Sequence, residues 1–82
     1  MPMHEVSIAE ALAQQVTEAA SRHGLATVRQ IGVCVGARSG VVPDALAFAF
    51  EILRAGPVLG AATLDVRATD GDDLRLEWIE GE

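Results

Sequence analysis

The chain has 82 residues, half of them apolar, 22% charged and only three of them proline, which fits one small globular domain over 1–82 and excludes a disordered chain. Its six basic residues are all arginine, against twelve acids, for a formal charge of −6; a phosphate backbone needs a basic stripe, so no nucleic acid is expected. A single cysteine, Cys34, excludes an intrachain disulfide and any C-x-x-C metal site, and no apolar run approaches the roughly 20 residues of a membrane span. The N-terminus shows no basic segment followed by an apolar stretch, which makes the cytoplasm the default location. A domain this short buries only about 60% of the surface its unfolded chain exposes, so its core is marginal and an interaction surface is expected.

In chain order, the first start signal is Ser7-Ile8-Ala9-Glu10, a capping-box pattern that predicts a helix over about 8–23. Ile8, Leu12, Val16 and Ala19 recur at helical spacing, and Gly24 suits the left-handed position just past the end. Val28, Ile31, Val33 and Val35 predict a strand within 26–35 whose second face carries the small residues Gly32 and Cys34. After a loop between Gly36 and Gly40, Pro43 fits the first position of a second helix and Asp44 its positive end. Leu46, Ala49, Phe50 and Leu53 supply that helix's core face, with Phe48 and Ile52 widening it, and Ala55-Gly56-Pro57 ends it.

The last third alternates. Leu64, Val66 and Ala68 share one face, Leu74, Leu76 and Trp78 another run of the same parity, and Thr69–Asp73 lie between. An antiparallel hairpin is expected, with an odd loop of three or five residues to bring the apolar sets to one face. The fold class is α+β: a small mixed sheet of three to four strands, the fourth being Met3–Val6 if it pairs, with two helices on one face and a C-terminal antiparallel hairpin.

Met3-His4-Glu5-Val6-Ser7-Ile8-Ala9-Glu10-Ala11-Leu12 closely resembles the opening of the HypA family, nickel-insertion proteins used in maturing nickel–iron hydrogenases. The resemblance continues through His23-Gly24, Val33-Cys34-Val35-Gly36, Ser39-Gly40-Val41-Val42-Pro43-Asp44-Ala45-Leu46 and Phe48-Ala49-Phe50-Glu51, and ends with strands at Gly60–Leu64 and Leu74–Glu80. It implies a nickel-binding fold, nickel(II) as the cofactor, and a HypB-like GTPase or the hydrogenase large subunit as partner. Members of the family carry a zinc ribbon with two C-x-x-C pairs between the last two strands, where only Thr69–Asp73 stand here. No zinc is therefore expected; a natural relative without the ribbon and a deliberate deletion both remain open.

The same resemblance makes His4 and Glu5 the metal-binding pair, with the backbone of Met3 beside them. In the family the histidine follows the initiator methionine directly, whereas Met1-Pro2 precede Met3 here. Nickel(II) accepts tetragonal nitrogen and oxygen donors, including deprotonated amides. With Met1 kept, Pro2 offers no N–H, leaving the Met3 and His4 amides, the His4 imidazole and the Glu5 carboxylate. With Met1 removed, the Pro2 amine, two amides and the imidazole can close four nitrogens around one ion. The bland alternative is a surface histidine on a frayed terminus.

Other candidates favour structural readings. His23 reads as a helix-end cation, Asp70, Asp72 and Asp73 as a solvated turn without EF-hand spacing, and Cys34 as a buried thiol. No catalytic set can be argued from spacing, so no enzyme is expected. Two functions stay in view: a nickel-delivery accessory, and a metal-free adaptor that keeps only the protein-binding surface. A mean hydropathy of +0.28 in so acidic a chain points to exposed apolar surface, and an open sheet edge also allows a homodimer.

Overall fold

The computed structural model describes the backbone of residues 2–82 and the side chains of 5–82. Its elements are α1 (Pro2–Arg22), β1 (Val28–Gly36), α2 (Pro43–Leu53), the single turn α3 (Gly56–Leu59), β2 (Thr63–Thr69) and β3 (Leu74–Gly81). The strands form one mixed sheet in the order β2-β1-β3, and the main helices cover one face of it. The expected class, α+β with two helices on a small mixed sheet, describes this architecture.

Two expectations at the start of the chain are corrected. Residues Met3–Val6 are helical, so the sheet has three strands, and α1 starts five residues before the Ser7 capping box. Proline near a helix start and Glu5 in the first turn are competing start signals, and the buried stripe explains why they win. Glu5, Ala9, Leu12, Val16 and Ala20 all lie on the covered side of α1, so the helical repeat runs unbroken back past Ser7. The other end is as read. Gly24 takes φ +70, its N–H reaches the Ser21 carbonyl at 3.3 Å, and the Leu25 N–H reaches that of Ala20 at 2.9 Å. These are the paired bonds of a Schellman motif, which satisfy carbonyls the helix leaves over.

β1 is buried along nearly its whole length, as befits a central strand. It pairs parallel with β2, placing Ile31 beside Leu64, Val33 beside Val66 and Val35 beside Ala68. Parallel neighbours need a long crossover, and the segment carrying α2 and α3 supplies it. On its other side β1 pairs antiparallel with β3, with Val35 beside Leu74 and Val33 beside Leu76.

The predicted hairpin is therefore modified. β2 and β3 run antiparallel and are joined by the turn at 70–73, but β1 lies between them and takes the hydrogen bonds of both. The parity argument survives, since Leu64, Val66 and Ala68 share the helix-facing side with Leu74 and Leu76, though through β1 rather than directly. To reach the far side of β1 the turn arches over its end. Gly36 N–H donates to the Asp73 carbonyl at 2.7 Å, Ala37 N–H to Thr69 at 2.8 Å and Arg38 N–H to Gly71 at 2.9 Å. A Cβ on Gly36 would collide with the Gly71 carbonyl, so only glycine fits beneath the arch.

A further correction concerns Trp78. The β1–β3 register shifts between Gly32 and Val33, leaving Glu77 as an extra residue. Beyond this bulge the faces exchange: Ile79 pairs with Ile31 on the helix side, while Trp78 pairs with Gly32 and lies over it on the outer face, where a Gly32 Cβ would strike the indole. Leu74 and Leu76 keep the expected face and Trp78 leaves it.

Another lies on α2. Leu46, Ala49 and Phe50 are buried as expected, but Phe48 and Ile52 are each 66% exposed and do not widen the core face.

Gly36→Ala is expected to cost about 3 kcal/mol or more, at the upper end of overpacking penalties, because its obstacle is backbone. Gly32→Ala should cost less, since the Trp78 side chain can swing away. Urea midpoints of the two variants check the order.

Candidate metal terminus and its surroundings

Glu5 is the one predicted metal residue whose side chain is described, and it is only 4% exposed. A buried carboxylate must be hydrogen-bonded or paired. Its Oε2 accepts the Val42 N–H at 3.2 Å. Val42 is the N-cap of α2 and Pro43 follows at the first position, so the carboxylate stands at the positive end of that helix, where unpartnered N–H groups and the dipole favour an anion. The bond ties the first turn of α1 to the start of α2. The approach to α2 is held as well: Ser39 N–H donates to the Gly36 carbonyl at 3.0 Å, and Val41 N–H to Ser39 Oγ at 3.1 Å. The His4 imidazole lies outside the described side chains, while the proposed backbone donors at Pro2 and Met3 fall in the first turn of α1.

Among the described residues no three His, Cys, Asp or Glu side chains converge as a metal cluster. Asp70, Asp72 and Asp73 accordingly form a turn rather than a cage; all three are exposed, and Asp73 Oδ1 accepts from Arg75 Nη1 at 3.1 Å. His23 is exposed just past α1, in the place expected of a helix-end cation.

A polar cluster on the outer sheet face is absent from the sequence reading. Cys34 is fully buried and unpaired in a disulfide, flanked across the sheet by Arg67 and Arg75. Arg67 bonds Glu77 through both Nε, at 3.1 Å, and Nη2, with the same Nη2 3.7 Å from Cys34 Sγ. Arg75 approaches Glu77 at 3.5 Å from the other side. The hydrogen bond from Arg67 holds the Glu77 carboxyl below the usual carboxylate range, and the same bond raises the Arg67 guanidinium. Glu77 faces outward by the same alternation as Arg75, and the register slip turns Trp78 outward beside it, a bulge. The apolar doublet Trp78-Ile79 is its trace in the sequence, since strict alternation cannot bury both on one face.

The arrangement defines a class: a small α+β domain, two helices on a three-stranded mixed sheet, whose first helix is tied by Glu5 to the start of the second. Comparison with known proteins gives the family. The model for "Hydrogenase/urease nickel incorporation, metallochaperone, hypA" matches residues 3–80. The chain belongs to the HypA family. Similar proteins include the hydrogenase maturation factor HypA of Rhizobium leguminosarum bv. viciae, 39% identical across 92% of this chain and 66% of that protein, and that of Streptomyces avermitilis, 46% identical across 84% and 53%. The chain thus spans between half and two thirds of these relatives' length. The solution structure of the Ni metallochaperone HypA from Helicobacter pylori superposes with a TM-score of 0.85 at 20% identity, covering 94% of this chain and 96% of that one; at that identity the likeness concerns the fold. No helix among the described residues is long and apolar enough to cross a membrane.

Two outcomes follow from this geometry. Glu5→Ala should destabilise the fold by about 2 kcal/mol by orphaning the Val42 N–H, and Glu5→Gln, which keeps an acceptor oxygen, by less; denaturation without metal measures both. Because folding lowers the Glu77 pKa, its contribution is full above the unfolded glutamate value and is lost as the pH falls through the folded one. Glu77→Gln should therefore lose less stability than the parent between pH 7 and pH 3 in urea titrations.

Proposed function

We propose that this chain is a nickel-binding accessory of nickel–iron hydrogenase maturation, carrying nickel(II) as cargo at its N-terminus and passing it on by direct contact. The match over residues 3–80, which takes in Met3-His4-Glu5, carries the reading. His4 supplies the imidazole, and the Met3 and His4 amides, the Pro2 amine when Met1 is absent, and the Glu5 carboxylate complete the donor set. Two features support it. The first-turn N–H groups of a helix have no acceptor within it, so amide deprotonation near Pro2 breaks no ladder bond. Glu5, anchored at Val42, holds the adjoining terminus against the body of the domain. The role is delivery rather than catalysis and needs no zinc within these 82 residues. A HypB-like GTPase is the first partner to test and the hydrogenase large subunit the second; a homodimer through a free sheet edge is a further state of the same surface.

A nickel titration on Met1-retained and Pro2-initiated protein, followed by absorption, tests the reading. His4→Ala should weaken binding at least about 100-fold in both forms, beyond what losing an outer-shell partner costs. In the Pro2-initiated form affinity should climb through about pH 7.7–8.0, where a free amine sheds its proton, and binding should release protons. Equal weak binding by both forms, indifferent to His4→Ala, would overturn it and favour the metal-free adaptor.

A further inference from the structure

We infer that the outward stripe of α2 is a docking surface for a protein partner presenting an apolar ridge bordered by lysine or arginine. Phe48 and Ile52 stand one helical turn apart, each 66% exposed, and Val42 at the head of the helix is 58% exposed. Isolated exposed apolar residues are ordinary, but a large contiguous set is informative. None of the three serves the core: α2 already buries Leu46, Ala49 and Phe50 on its opposite side.

The charge beside the stripe selects the occupant. Asp44 and Glu51 are exposed and project next to Phe48 on the helix circumference, forming an acidic rail. The helix itself carries no basic residue, and Arg54, just past its end, gives Nη1 to the Ala62 carbonyl. A second copy would bring acid against acid between chains of formal charge −6, and any polyanion is repelled likewise, whereas a basic rim on the partner matches the rail and keeps the apolar residues in register. Val42, the N-cap at the head of the same helix, has its N–H held by Glu5, so a partner reaching the head of α2 lies beside the N-terminal turn. The docking surface needs no metal; only its use in handing nickel over rests on the function proposed above.

The test uses metal-free, 15N-labelled chain and two synthetic helical peptides sharing one leucine ridge, one rimmed with lysine and arginine, its twin with glutamate. The basic peptide should shift resonances within 42–55 and bind at least about tenfold tighter than its twin, with the gap closing as salt rises. Phe48→Ser with Ile52→Ser should lower its affinity at least about tenfold, and Asp44→Lys with Glu51→Lys should reverse the preference between the twins; both pairs are exposed, and circular dichroism checks each fold. Equal binding of the twins, shifts centred away from α2, or affinity indifferent to both double variants would overturn the inference. So would a dimer in sedimentation abolished by Phe48→Ser/Ile52→Ser, which would assign the stripe to a second copy. Because no nickel is present, either failure leaves the nickel titration to be judged separately.

Discussion

The turn at 70–73 has to clear the end of β1, and this clearance organises the sheet. β2 arrives parallel to β1 by way of α2 and is followed at once by a chain reversal. A two-strand hairpin would leave one side of β1 without a partner, so the chain crosses to that side, and Gly36 permits the crossing by presenting no side chain to the Gly71 carbonyl. With β1 paired on both sides, Ile31, Val33 and Val35 face α1 and α2, and Gly32 and Cys34 are left to the outer face. Most of the polar chemistry on that outer face follows from the same placement.

On the outer face two different devices cover the small residues of β1. Trp78 covers Gly32, and the Arg67–Glu77 clasp covers Cys34, so a strand that no helix touches on this side is still excluded from water. Glu77 points outward by plain alternation with Arg75, and the bulge adds Trp78, so that two successive β3 residues face outward before Ile79 returns to the core. On the helix side an equivalent economy holds at Glu5. It occupies a position that the repeat of α1 marks as buried, and the start of α2 supplies the hydrogen-bond donor that a buried carboxylate requires.

Much of this was legible in the residues. The bounds of α2 followed from Pro43 and from Ala55-Gly56-Pro57, the end of α1 from Gly24, and the fold class and family from motifs spread along the chain. What escaped was of one kind. Ser7-Ile8-Ala9-Glu10 is a sound local start signal, overruled because the stripe through Ala9 and Glu5 is buried by contacts distant in sequence. The hairpin expected of β2 and β3 is a sound local pairing, displaced by a strand thirty residues or so upstream whose small second face, Gly32, Cys34 and Gly36, was itself the mark of burial on both sides. Phe48 and Ile52 were assigned by hydrophobicity, though their angular positions on α2 differ from those of Leu46, Ala49, Phe50 and Leu53. The family resemblance supplies only candidates for a metal site, and the anchoring of Glu5 by the Val42 N–H could not be read at all, since an α-helix start 37 positions away leaves no pattern around Glu5.

The arch over Gly36 also dictates an order of events during folding. Hairpins close within about 1–10 μs because their partners are neighbours, and the alternating strands on either side of 70–73 are built to find each other first. That early product has the wrong partner. β1 can enter only if the two strands part or have not yet met, and its pairings with β2 and β3 close loops of long sequence separation, the slow class of contact. The nascent chain thus carries a kinetic competitor written into its own native turn, and the three-stranded sheet is complete only once β1 has taken both strands.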